Sequence, residues 1–240
     1  MSTERVLIWD FDGTLGHRPG MLSQVLADVV QAACPGLACT RDHVRPFLRD
    51  GFPWHRPQHP HTHITSAEMW MWLEEIAPLL ERACVGVGCS PAQARELAYQ
   101  ARWRYLDPQG WFLYEDVLPA LTKLKDMGWT HVILSNHVPE LPDLVATLGL
   151  SPYITRIFTS ALLGYEKPHP QAFRYVLDEL GNPPVVWMIG DNPEADIAGA
   201  EASGIPAILV RGTDRAARRS CPDLAALAPL LTDYPLRGRP

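Results

Sequence analysis

The sequence predicts an α/β fold: a doubly wound parallel sheet core, interrupted after its first strand by an inserted all-α domain. Three observations predict it. Val6-Leu7-Ile8-Trp9 is an apolar run without alternation, the pattern of a strand covered on both faces. From residue 116 onward, helical periodicity alternates with short apolar runs that end in polar residues. Between these regions, from about residue 21 to 108, the pattern is helical and holds no convincing buried strand.

The first run ends in Asp10-Phe11-Asp12-Gly13-Thr14. In an open parallel sheet, ligands sit beyond the carboxyl ends of the strands, so two carboxylates here mark a place for chemistry. On its own the pair reads equally well as an acidic turn capping the next element. Leu15 to Gly20 is rich in helix and strand breakers. Met21 to Ala33 carries apolar residues at 22, 25, 26, 29, 30 and 33, one helical stripe. Thr40 to Arg49 reads as a shorter helix. Gly51 to His63 is irregular and rich in proline and histidine. Ser66 to Leu80 is helical, with Met69, Trp72, Leu73, Ile76 and Leu80 on one face and a bend before Pro78. Ser90-Pro91-Ala92-Gln93 is a capping box that opens another helix, with Ala94, Leu97, Ala98, Ala101 and Tyr105 on its apolar stripe.

Val117 to Met127 reads as a helix with Val117, Leu118, Leu121 and Leu124 inward, stopped by Gly128. Val132 to Leu134 is a buried strand ending at Ser135-Asn136. A helix from Pro139 to Leu148 follows, then a short strand at Ile157-Phe158. That strand leads to Glu166-Lys167-Pro168-His169-Pro170. Gln171 to Leu180 is a helix. Val185 to Ile189 is a strand ending at Gly190-Asp191, and a helix capped by Asn192 runs from Pro193 to Ser203. Ala207 to Val210 is a further strand. The basic segment Arg211 to Arg219 reads as a solvated loop, followed by a short helix near Asp223 to Leu231. The expected domains are a discontinuous core, 1-16 and 111-240, and a helical cap, 17-110, lying as a lid over the carboxyl edge of the sheet.

Composition narrows the function classes. The formal net charge of −6 gives no electrostatic case for nucleic acid or an anionic membrane as partner. It is compatible with an anionic substrate held by local cations, of which only Lys123, Lys125 and Lys167 are lysines. Five cysteines, an odd count without a Cys-x-x-Cys pair, favour reduced thiols over a disulfide frame or a zinc site. The chain enters its first strand within a few residues of Met1, leaving no room for a signal peptide, and no apolar run approaches bilayer length. A soluble cytoplasmic protein is the expectation.

Four strand ends now carry polar signatures, and all fall at one edge of one sheet: Asp10/Asp12/Thr14, Ser135/Asn136, Lys167, and Gly190-Asp191 with Asp196. As an ordered set these motifs resemble the haloacid dehalogenase superfamily, in its branch with a helical cap after the first strand. The resemblance implies a Rossmann-like core and a small phosphorylated metabolite as substrate. It also implies Mg²⁺ held by Asp10, Asp191 and the backbone carbonyl of Asp12.

The same resemblance assigns roles. Asp10 is the nucleophile that forms an aspartyl-phosphate. Asp12 is the general acid for the leaving alkoxide and then the base for water. Lys167 bridges Asp10 and the phosphoryl group. Ser135 donates its hydroxyl and Asn136 an amide or backbone N–H to phosphoryl oxygens, Thr14 fixes the Asp12 side chain beside the phosphate, and Asp196 orients Lys167 or a metal-bound water. Dehalogenases of the superfamily lack a carboxylate at the Asp12 position and need no metal, so Asp12 with Asp191 points to phosphate esters. Phosphonate-cleaving relatives use a cap lysine, and residues 16 to 110 contain none. A phosphomutase of the same superfamily, a phospho-acceptor signalling domain and a non-catalytic binding protein are the alternative readings.

Substrate selection is expected in the cap. Arg18, Arg49, Trp54 and His55 are the candidates, and the run Arg45 to His63 reads chiefly as a proline-stiffened surface loop. Its histidines lack the spacing and partners of a metal site. Trp70 and Trp72 read as cap core. The sequence names neither the substrate nor an oligomeric state.

Overall fold

The computed structural model of the chain describes residues 5–61, 75–215 and 217–231. Its strands are β1 (Arg5–Trp9), β2 (Gly16–His17), β3 (Phe112–Leu113), β4 (Trp129–Ser135), β5 (Ile154–Thr159), β6 (Val185–Gly190), β7 (Ala207–Val210) and β8 (Ser220–Cys221). Six of them form one sheet in the order β5-β4-β1-β6-β7-β8, with every pairing parallel. The remaining two, β2 and β3, pair separately. The fold is thus the expected α/β type. The two-residue strands β2, β3 and β8 are too short to leave a periodic pattern and were not legible in the sequence.

The apolar run of β1 is explained by its position. It lies between β4 and β6, with Ile8 opposite both Val132 and Met188, and Val6 to Trp9 are fully buried. One face of the sheet presents Val6, Ile8, Val132, Leu134, Val186, Met188, Ala207 and Leu209. Phe173 and Val176 of the helix Pro170–Glu179 pack there, with Ile197 and Ala200 from beyond β6. Truncating a fully buried ring such as Phe173 in this layer costs about 3–5 kcal/mol. The helix Val117–Asp126 packs on β4 and buries Val117, Ala120, Leu121 and Leu124. Leu118, expected inward, is exposed, and Ala120 takes its place on the buried stripe.

The chain divides into two compact units: Met1–His17 with Pro60–Thr62 and Leu113–Pro240, and Arg18–His59 with His63–Phe112. The described α-helices of the second unit are Met21–Ala33, Arg41–Val44, Ala77–Gly86 and Pro91–Leu106. The capping box is in place, with Ser90 Oγ accepting from Gln93 N at 3.4 Å and Gln93 Oε1 accepting from Ser90 N at 3.0 Å. Trp70 and Trp72 lie outside the described residues. His61 departs from the surface-loop reading. It is buried in the first unit, where its N–H donates to the Gly164 carbonyl at 2.8 Å and Nε2 lies 3.0 Å from the Ser160 carbonyl oxygen.

Candidate active site

In the sheet order the chain runs outward from β1 through β4 to β5, then crosses to β6 on the other side of β1. The crossing leaves a crevice beyond the ends of β1 and β6, the usual ligand position in such sheets. Asp10 follows β1 and donates its backbone N–H to Ile189 of β6 at 2.9 Å, and Asp191 follows β6. The two carboxylates therefore leave adjacent strands in the same direction. Gly13 completes the turn at φ +84°, where a Cβ would lie 2.3 Å from Asp191 Oδ2. A side chain at this position would collide with the carboxylate, so the turn requires glycine.

Lys167 is the charge centre of the site. Its Nζ donates to Asp10 Oδ1 at 2.7 Å and to Asp196 Oδ1 at 2.6 Å, with all three residues buried. Burial acts to lower the lysine pKa, but the charges and hydrogen bonds of Asp10 and Asp196 outweigh it and hold the ammonium above the ordinary lysine range. Asp196 Oδ2 also accepts from Asn192 N at 3.0 Å. This carboxylate sits in a π-helical segment, Pro193–Ala198, that Asn192 caps by accepting from Glu194 N and Ala195 N.

Ser135 and Asn136 end β4, and each has a definite partner. Ser135 Oγ donates to Asp10 Oδ1 at 3.0 Å. The Asn136 side chain is engaged by the lysine loop: Nδ2 donates to the Lys167 carbonyl at 2.8 Å and Oδ1 accepts from Lys167 N at 2.7 Å. Thr14 differs from expectation. Its buried hydroxyl donates to Asp191 Oδ1 at 3.2 Å and not to Asp12. The strand ends before Thr14, so the turn points this side chain across to the β6 end.

Asp12 stands apart from the lysine pair. Its Oδ1 is buried and accepts no hydrogen bond among the described residues. Burial, then the charges of Asp10 and Asp191, raises its pKa well above the carboxylate range against the pull of Lys167. Asp12 Oδ2 lies 4.0 Å from Nε2 of His137, whose pKa is pushed down to about 4 by burial, so the contact is not an ion pair near neutral pH.

Asp10, Asp191 and Asp196 each bring an oxygen within 4.8 Å of the others. Burial and then the Asp10 charge push Asp191 up to about 6. Three hard oxygen donors whose negative charge the single Lys167 ammonium only partly offsets fit a small divalent cation. Asp196 is already engaged by Lys167 and Asn192 N, which leaves Asp10 and Asp191 as the carboxylates freest to hold it.

The sequence reading missed Arg211 and His137. Arg211 follows β7 at φ +60°, donates from Nε to the Thr14 carbonyl at 2.9 Å, and pairs with Asp116 at 2.6 Å. It lies 3.7 Å from the Tyr114 ring centroid, and it is not part of a solvated loop. Its position at the end of an apolar strand was the available signal. Arg18, a specificity candidate, is buried and donates to the Arg104 and Asp107 carbonyls at 2.8 and 3.0 Å, closing the C-terminal end of the helix Pro91–Leu106. Trp54 stacks on buried Phe52 with ring centroids 4.6 Å apart, His55 meets the same ring edge-on, and Arg49 is exposed.

Fold and site together define an α/β enzyme with carboxylates gathered around one lysine at the edge of a parallel sheet. Residues 4–204 match the haloacid dehalogenase-like hydrolase family, and the chain belongs to that family. It is 33% identical to a phosphoserine phosphatase of Thermus thermophilus over 143 residues, 57% of this chain and 55% of that enzyme. The chain thus spans a little over half the length of that relative. It is 27% identical to the haloacid dehalogenase-like hydrolase domain-containing protein 3 of Homo sapiens, covering 95% of this chain and 92% of that protein. Among solved structures, a 2-haloacid dehalogenase from Pseudomonas syringae shares the fold with a TM-score of 0.65 at 22% identity, covering 95% of this chain and 97% of that one.

Proposed function

We propose that this hydrolase is a Mg²⁺-dependent phosphatase that cleaves a small phosphorylated metabolite through an aspartyl-phosphate on Asp10. The observation that carries this reading is the shared ammonium of Lys167 on Asp10, with a second carboxylic acid, Asp12, two residues away. Ser135 and Lys167 both donate to Asp10 Oδ1, which leaves Oδ2 to attack phosphorus. The new Oδ2–P bond replaces the substrate O–P bond, and Asp12 gives its proton to the leaving oxygen. Asp12 then takes a proton from water, the water oxygen attacks phosphorus, and Asp10 leaves as carboxylate with release of inorganic phosphate. Lys167 supplies fixed positive charge to the equatorial oxygens.

Mg²⁺ would be held by Asp10 and Asp191, with the Asp12 carbonyl as the third ligand that the family resemblance implies, and would offset the repulsion between carboxylates and phosphate. Thr14 holds Asp191 and Asp196 holds Lys167, so both act by positioning. The phosphatase name of the Thermus relative supports the reaction class. The presence of Asp12 favours it over carbon–halogen cleavage, which has no alkoxide to protonate. Leaving-group selection is assigned to the inserted helical domain, residues 17–110, through Arg49, Trp54 and His55. Arg18 is not assigned there, because its guanidinium is committed to a helix end.

The test is phosphate release from an aryl phosphate and a metabolite panel, with Mg²⁺ and with a chelator, beside halide release from a 2-haloacid. Metal-dependent phosphate release is expected. Halide release without phosphate release would overturn the reading.

A further inference from the structure

Arg211 stands in the left-handed region at φ +60°, a conformation that favours glycine, although the glycine of this segment is the next residue, Gly212. A side chain persists in such a conformation where its surroundings hold it, and the contacts of Arg211 supply that hold. β7 pairs with β6, with Leu209 opposite Gly190, so Arg211 and Asp191 leave adjacent strands at the same edge. Arg211 Nε donates to the Thr14 carbonyl at 2.9 Å, and Nη2 and Nη1 donate to the Asp116 carboxylate at 2.6 and 3.2 Å. Asp116 is itself fixed by the Leu224 N–H at 2.8 Å, and the guanidinium lies 3.7 Å from the centroid of the Tyr114 ring. The group that grips Thr14 is therefore anchored on its other sides. Thr14 in turn meets Asp191: its hydroxyl donates to Oδ1 at 3.2 Å, while Gly13 packs so closely on the same carboxylate that a Cβ would lie 2.3 Å from Oδ2. Both oxygens of Asp191 thus touch the turn that Arg211 fastens.

We propose that Arg211 is a positioning residue for the metal site: through Thr14 it fixes the Asp191 carboxylate and so raises the affinity of the chain for Mg²⁺. The proposal rests on the reading of Asp191 as a Mg²⁺-holding carboxylate. Its physical basis is preorganisation. A carboxylate that turns freely loses that freedom when an ion binds, whereas one already held has lost it on folding. The Thr14 hydroxyl holds Asp191 only as firmly as its own backbone is held. Backbone bonds among residues 11 to 16 shape the turn, and Arg211 ties it to the β7 end of the sheet. Charge alone acts the other way. A guanidinium near a divalent cation repels it, so a purely Coulombic role for Arg211 would weaken Mg²⁺ binding. The sign of the effect separates the two.

The test needs no substrate. Mg²⁺ alone is titrated into the full chain by isothermal calorimetry, at a temperature where circular dichroism shows each variant folded. Arg211→Gly removes the side chain at a φ that glycine adopts freely, and Arg211→Lys keeps the charge while losing the planar fork. Both are expected to raise the Mg²⁺ dissociation constant about 10-fold, and Thr14→Val about 10–100-fold, the range for loss of a group that orients a metal ligand. Adding Arg211→Gly to Thr14→Val is expected to leave the constant where Thr14→Val alone puts it, because the arginine acts through that hydroxyl. An arginine with a merely structural role would lower the melting temperature and leave Mg²⁺ affinity unchanged. With a wild-type chain that binds Mg²⁺, unchanged or tighter binding in Arg211→Gly, or a further loss in the double variant, would overturn the proposal and spare the metal reading. A wild-type chain that binds no Mg²⁺ would overturn both.

Discussion

Asn136 clasps the backbone of Lys167, accepting from its N–H at 2.7 Å and donating to its carbonyl at 2.8 Å. The two bonds reproduce a strand pairing with one side-chain amide, so the loop that carries the lysine is tied to the end of β4. Aspartate could not make both, since it lacks the donor.

Asn136→Ala releases both bonds, at a cost of roughly 1–2 kcal/mol in stability. The larger effect falls on catalysis, because a small displacement of a charged group is amplified at the reacting atoms. With an aryl phosphate, kcat is expected to fall on the order of 10–100-fold with little change in KM. Steady-state kinetics with saturating Mg²⁺ check this, and an unchanged kcat would remove Asn136 from any positioning role.

Removal of Asp12 discriminates by leaving group. Asp12→Asn is expected to lower turnover of an alkyl phosphate on the order of 10²–10⁴-fold. The first step with a nitrophenyl ester is affected far less, because that leaving group departs without a proton. Rapid-mixing experiments with the two substrates separate the steps. Equal losses in the first step for both esters would contradict a general-acid role.

Arg211 links three segments: the carbonyl of Thr14, the carboxylate of Asp116 and, through Asp116 Oδ2, the N–H of Leu224 at 2.8 Å. Burial acts to raise the Asp116 pKa, but the hydrogen bonds donated by the Arg211 guanidinium and the Leu224 N–H, with the Arg211 charge, outweigh it and draw the pKa down. Arg211→Ala should cost roughly 2–3 kcal/mol, measured by urea unfolding, since both partners keep little solvent contact. A double-mutant cycle with Asp116→Asn is expected to give clear non-additivity. Additive effects would mean the pair contributes nothing as a pair.

His131 makes stability depend on pH. It is buried on β4, and its Nδ1 accepts from Trp9 Nε1 at 3.0 Å. Protonation would turn that acceptor into a donor facing another donor. Burial pushes its pKa down to about 4 from the ordinary 6.5. Between these values the unfolded chain binds the proton and the folded chain does not. This contribution is therefore complete above pH 6.5 and is lost as pH falls toward 4, by up to about 3 kcal/mol. His131→Gln retains an acceptor for Trp9 and should flatten the fall in melting temperature across that window. A variant with the same slope as wild type would place the acid sensitivity elsewhere.

Much of the core was legible because its signals are local. Uninterrupted apolar runs mark doubly covered strands, and polar residues at their ends mark the carboxyl edge. Helix starts were equally local: Ser90-Pro91-Ala92-Gln93 and Asn192 carry their cap chemistry in adjacent residues. Arg211 was misread because a cation in a basic segment looks solvated until the fold brings Asp116 and Tyr114 to it. His61 was misread for a similar reason, since its partners Ser160 and Gly164 lie about a hundred residues away.

The sequence by itself determined the sheet-forming core, the helical insertion and the identity of the residues at the sheet edge, because periodicity and turn chemistry act over a few residues. Only the tertiary structure decided which polar group each of those residues serves. Thr14 goes to Asp191, Asn136 to the Lys167 backbone, and Lys167 to Asp10 and Asp196. These pairings join residues from strands distant in the chain, and a buried donor takes whichever acceptor the sheet order sets beside it.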